Sequence, residues 1–173
     1  MSNISVNIFV LLLVGIPQSF LTVLALQIFT RTKMDAKKYM LLSIICLAST
    51  YLIRLLPIAL GVNTVLTLLI LILSFQLAYK NQLSRVIRTI MSAIIIFVLI
   101  AFTEVLNMLL LSAIYSQSKA IDLLDSSDEL LKGICYAPSN IFFVIFIFIG
   151  YFLLKLIEKR DTKDGATSEK TGE

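Results

Sequence analysis

Two residues of opposite charge stand in long apolar runs: Arg54 in Tyr51-Leu52-Ile53-Arg54-Leu55-Leu56-Pro57, and Glu104 in Ala101-Phe102-Thr103-Glu104-Val105-Leu106. A guanidinium stays protonated in proteins, so in apolar surroundings it needs a partner or a route to water. Counted from Tyr39 and Thr89, Arg54 and Glu104 each lie 15 residues into their runs, which on helices puts both about 22 Å along. An isolated charge at that depth costs at least a few kcal/mol, and a hydrogen-bonded pair removes much of the penalty. The spacing therefore predicts that Arg54 and Glu104 face each other. Asn107, three residues after Glu104, shares its helix face and would complete the network. Such a group is either a polar pocket open to the outside or a lock that holds helices together, unless Arg54 reaches the outer headgroups alone. Gln18, Gln76 and Asn63 are weaker candidates, because an amide in an apolar helix most often hydrogen-bonds to a neighbouring helix.

Catalysis has little to work with. There is no His, and the apolar runs offer one Glu and one Arg, whereas hydrolysis needs paired acids, an activated nucleophile or a metal triad. Cys46 and Cys135 are too far apart in sequence to suggest a zinc site or a disulfide, and each reads as a small buried hydrophobe. No glycine-rich phosphate loop or dinucleotide fingerprint occurs. The sequence predicts no enzyme, no catalytic or metal-binding residue and no cofactor.

The elements that would carry these residues follow from composition. Of 173 residues, 58% are hydrophobic and 15% charged, with a mean hydropathy of +0.95. Whole turns, such as residues 94–100 and 141–149, are apolar all round, so lipid is the expected neighbour. The net charge of +4 matters through where the cations fall, and nucleic acid is not an expected partner.

A helix needs about 20 residues to cross roughly 30 Å of hydrocarbon, and five stretches approach that length: 4–29, 39–60, 62–78, 87–114 and 137–157. The predicted fold is an all-α polytopic bundle of five transmembrane helices over residues 1–158, followed by a disordered polar tail over 159–173. Arg31, Lys33, Lys37 and Lys38 follow the first stretch, Lys80, Arg85 and Arg88 the third, and Lys155, Lys159, Arg160, Lys163 and Lys170 the fifth. That distribution places the N-terminus outside and the C-terminus in the cytoplasm. Stretches two and three form a hairpin, with Gly61-Val62-Asn63-Thr64 as its turn and Gly61 free to take positive backbone angles. Pro17 should kink the first helix and expose a carbonyl for Gln18 or a neighbouring span. Ser126 with Glu129 fits a capping box, Ile121, Leu124, Leu130 and Leu131 could form one short surface helix, and Pro138 suits the first turn of the last span.

Arg54-Leu55-Leu56-Pro57-Ile58 with Gly61 and Thr64, a basic loop, Glu104 in the next span and Gly133 to Pro138 opening the last together resemble the N-terminal membrane sensor region of Gram-positive bacterial sensor histidine kinases. The likeness covers most of residues 39–154. In that family a His or polar residue often occupies the turn where Asn63 stands, and the spans feed a cytoplasmic helix. The resemblance implies a multi-pass sensor of a two-component system in a bacterial plasma membrane, but the phosphoacceptor His and the ATP-binding domain are missing from these residues. A sensor-like or signalling accessory module is therefore expected, perceiving an extracellular or membrane signal and assembling with another membrane protein or a second copy of itself. The alternative is a small transport, channel or peptide-immunity component.

Overall fold

The computed structural model describes residues 11–54, 60–79, 83–124, 126 and 128–168. Among them the structure is helical throughout, without strands. A π-helical turn, Leu11–Gly15, leads into α1 (Ile16–Phe29); α2 (Ala36–Arg54), α3 (Leu60–Tyr79), α4 (Leu83–Tyr115), α5 (Gln117–Leu124) and α6 (Glu129–Ser168) follow. Four helices are long and apolar enough to cross a membrane: Leu11–Thr30, Ala36–Ile53, Arg85–Tyr115 and Leu130–Arg160. The described apolar part of α3, Val65–Tyr79, is shorter. The chain is thus a membrane protein by the length and composition of its helices.

Local chemistry sets the boundaries. Pro17 sits in the first turn of α1, and its missing N–H leaves the Leu13 carbonyl without the usual partner four residues on. The wider π-helical turn just before it absorbs that mismatch. α1 closes on Thr30 and on Arg31, which takes a left-handed conformation with φ 52°. The Arg31 amide donates to the Ile28 carbonyl at 3.1 Å and the Thr32 amide to the Gln27 carbonyl at 3.0 Å, which satisfies the last carbonyls of the helix. Asp35 caps α2 by accepting the Lys37 amide at 3.0 Å.

Three expectations are corrected here. The reversal between α2 and α3 is not at residues 61–64: Gly61, Val62, Asn63 and Thr64 are the first turn of α3, and no described glycine has a positive φ. Residues 55–59, which join α2 to α3, lie outside the described residues. Pro57 lies there, and a proline disfavours helix both at itself and at the residue before it. Next, α6 starts at Glu129, so Pro138 is inside the helix rather than in its first turn. Its cap is Asp128, whose Oδ1 accepts the Leu130 and Leu131 amides at 3.0 and 3.3 Å, while Ser126 Oγ accepts the Asp128 amide at 3.1 Å. Finally, the four apolar residues of the expected surface helix divide between two elements, Ile121 and Leu124 in α5 and Leu130 and Leu131 in α6. α5 is seated by Ala120, Leu123 and Leu124 against Leu111 and Cys135.

α6 also runs on to Ser168, ten residues beyond the 158 boundary read from composition. Residues 158–164 alternate acidic and basic types without Pro or Gly, and such a stretch extends a helix that packing has already nucleated.

All five long helices share one core, with Leu26 of α1, Leu42 of α2, Phe75 of α3, Ile96 of α4 and Phe143 of α6 at most 1% exposed. α2 packs between α1 and α3, while α4 touches α1, α3 and α6. Contacts at one end of the bundle fix its polarity: Lys38 Nζ lies 4.7 Å from the Tyr79 ring centre, Gln27 Nε2 donates to Tyr79 Oη at 3.0 Å, and Arg31 approaches Glu158 at 3.9 Å. The cations after α1, at the start of α2 and late in α6 therefore gather at this end.

Candidate functional site

At the other end of the bundle the helices line a partly open cavity of about 100 Å³, well above the roughly 10–15 Å³ that one water needs by the same kind of measure. Gln18, Ser19 and Thr22 come from α1, Cys46 and Thr50 from α2, Thr67 from α3 and Glu104 from α4. Leu68, Leu71 and Ile100 form its apolar wall, and Gly15 lets the start of α1 come close. A β-carbon there would stand 3.1 Å from Leu11 Cδ1. Glu104 is exposed whereas Ser19 is buried, so the carboxylate stands at the mouth and the hydroxyl at the back.

The hydroxyls are held by their own helices. Ser19 Oγ donates to the Gly15 carbonyl at 2.8 Å, Thr22 Oγ1 to the Gln18 carbonyl at 2.7 Å, and Thr50 Oγ1 to the Cys46 carbonyl at 2.8 Å. Such back-bonding keeps a hydroxyl from protruding and fixes its direction. The lining positions 15, 18, 19 and 22 follow helical spacing, which puts them on one face of α1.

Of the residues singled out from the sequence, the structure brings Gln18 and Glu104 together around this cavity. Arg54 is the last helical residue of α2, and its side chain lies outside the described residues, so the expected Arg54–Glu104 contact lies outside them too. Asn63 is in the first turn of α3, and its side chain is likewise outside them. Asn107 turns away from the cavity: it is 1% exposed, and its Nδ2 donates to the Cys135 carbonyl of α6 at 2.9 Å. Gln76 differs from the expectation of a helix-to-helix bond, because neither its amide oxygen nor its nitrogen has a partner among the described residues although both are buried.

Sequence reasoning missed Ser19, Thr22, Thr50 and Thr67 because isolated hydroxyls in apolar helices commonly bond to their own backbone. It also missed Asn140, although the signal was there. Asn140 Nδ2 reaches the Leu13 and Val14 carbonyls at 3.5 and 3.4 Å, and Leu13 is the carbonyl that Pro17 leaves open. The exposed carbonyl was expected; the residue that answers it was not.

A larger hollow of about 220 Å³ between α1 and α6 is lined by apolar residues and Tyr151, and none of its surface is polar. It offers nothing to orient a polar ligand. Among the described residues no cluster of three or more acidic, Cys or His side chains could hold a metal ion. No protein family, curated protein or solved structure matches the chain.

Proposed function

We propose that the chain is a five-pass sensor-like or signalling accessory module, with its N-terminus outside and its C-terminus in the cytoplasm. A small ligand in the cavity biases an Arg54–Glu104 pair and thereby moves α6. The observation that carries this reading is the convergence of a carboxylate, an amide and hydroxyls from four helices in an otherwise apolar bundle. Polar groups are costly in a bilayer, and where they gather around a space they mark a site rather than packing.

The remaining parts fit that reading. α3 is 20 residues long, about 30 Å and enough for a fifth span. The cations gathered at one end of the bundle belong on the cytoplasmic side by the positive-inside rule, which leaves the cavity in the outer half. α6 is continuous over 40 residues, about 60 Å, so a tilt begun beside Asn107 and Cys135 reaches its far end. There the output passes to another membrane protein or to a second copy of the chain, since these residues include no phosphoacceptor His. Resemblance to sensor kinase membrane regions favours a bacterial plasma membrane.

A small transport or channel component is the second reading, favoured by the position of Glu104 at the cavity mouth. One pair of measurements separates the two. Purified protein in liposomes is expected to carry no Na⁺, K⁺ or methylammonium flux above protein-free vesicles, while the tagged chain captures a membrane partner from its native membrane, and Arg54→Leu alters that partner's output. Flux abolished by Glu104→Gln would overturn the sensor reading.

A further inference from the structure

The hydrogen-bond polarity of the cavity specifies its ligand. A backbone carbonyl has no hydrogen to give, so each hydroxyl within 2.7–2.8 Å of one must be the donor. Ser19, Thr22 and Thr50 have one hydrogen apiece, and each is directed back into its own helix. Their oxygen lone pairs face the cavity, those of Ser19 and Thr50 beside the Cys46 thiol, a weak donor, and Thr67 adds a further hydroxyl. Glu104 adds carboxylate oxygens and Gln18 an amide oxygen, while the Gln18 NH₂ is the one strong nitrogen donor in the lining. A space lined by these acceptors favours an occupant that brings positive charge or hydrogens. Hard cations prefer oxygen ligands of this kind.

We infer that the cavity binds a small monovalent cation, an ammonium group or an alkali-metal ion, held between the Glu104 carboxylate and the Thr50 hydroxyl oxygen. The inference rests on the reading of this cavity as the ligand site and names its ligand class. It does not require Glu104 to be without a partner. Thr50 stands on α2 and Glu104 on α4, so a cation held by both would couple occupancy to helix position.

The test uses the full chain in nanodiscs of neutral lipid, with thermal unfolding followed in NaCl, KCl, NH₄Cl, methylammonium chloride and choline chloride at equal concentration. Binding to the folded state raises the midpoint by mass action. At least one of the first four salts should give a saturable rise of about 3 °C or more relative to choline, whose N-methyl groups leave no N–H to give and keep oxygen ligands from its charge. The differences among those four salts tell a metal ion from an ammonium group. Thr50→Val and Glu104→Gln should each remove the rise, and Thr50→Ser, which keeps the hydroxyl, should restore it. A rise equal in choline, or one retained in both Thr50→Val and Glu104→Gln, would overturn the inference. Partner capture scored on the same preparations keeps the two ideas distinct: capture without a cation-specific rise sinks only the ligand class, and a cation-specific rise without capture sinks only the sensor reading.

Discussion

Asn107 of α4 donates its side-chain amide to the Cys135 carbonyl of α6 at 2.9 Å, in the turn that Pro138 disturbs. Asn140 of α6 donates, at longer range, to the Leu13 carbonyl that Pro17 leaves open, whereas the Cys135 carbonyl is next to Ile134, the one Pro138 leaves open. Each proline removes a backbone donor from one helix, and an asparagine on another helix stands beside the affected turn. The turns beside the two prolines are therefore points of attachment between helices.

This arrangement predicts a coupling. Asn140→Leu should cost about 1 kcal/mol, the usual size of an interhelical hydrogen bond in a membrane, seen as a lower unfolding midpoint. In a Pro17→Ala background the restored N–H can serve Leu13, so the same change should cost less. Equal losses in the two backgrounds would mean that Asn140 does not answer the proline.

Arg31 holds φ at 52° where α1 ends, a conformation that costs a non-glycine residue roughly 1 kcal/mol. Its approach to Glu158 at 3.9 Å, with both side chains well exposed, contributes little. Arg31→Gly and Arg31→Ala both remove the ion pair, and only Gly relieves the backbone. Arg31→Gly should melt above Arg31→Ala; the reverse order would mean that the left-handed cap is unstrained.

The existence of the long helices was legible because apolar blocks of membrane length leave few other outcomes. Their ends were less so. Gly61 looked like a turn because glycine permits one, but it lies in the first turn of α3, and a permissive residue does not compel a turn. Pro138 looked like a helix start because nothing in the sequence weighed it against Asp128, which offers a side-chain acceptor in the right place. The cavity was half legible. Glu104 and Gln18 stand out by type, whereas Thr22 and Thr50 belong to it through helix rotation and packing, which composition does not specify.

Gln76 has an amide that is buried without a partner among the described residues. Burying such a group costs on the order of 1–3 kcal/mol. Gln76→Leu should therefore raise stability by about 1 kcal/mol or more, read as a higher unfolding midpoint in detergent. A lower midpoint would show that the amide has a partner in the membrane, such as a lipid headgroup or a second chain.

Gly150 of α6 lies under the ring of Phe29: an added β-carbon would stand 2.7 Å from Cε1 and 2.9 Å from Cζ. In an exposed helix Gly→Ala gains about 1 kcal/mol, but here the contact reverses the sign, because a phenyl ring is stiff and must move as a whole. Gly150→Ala should destabilise by about 1–3 kcal/mol. Phe29→Leu in the same chain should recover part of that loss, and a stabilised Gly150→Ala would mean that the helices separate freely at this point.

The pairing of Arg54 with Glu104 is open to a direct energetic test. Arg54 closes the described part of α2 and Glu104 lines the cavity on α4, while the pairing itself is an expectation from their equal depth in the sequence. If the two are paired, Arg54→Leu leaves a carboxylate in apolar surroundings and Glu104→Leu leaves a guanidinium there, each at about 3 kcal/mol. Removing both leaves neither charge. The double variant should then be more stable than either single one, because the largest part of each loss is the charge left behind. If Arg54 instead reaches outer headgroups alone, the two losses will add, and the double variant will be the least stable of the three. The order of the three unfolding midpoints decides between a paired site and two independent charges.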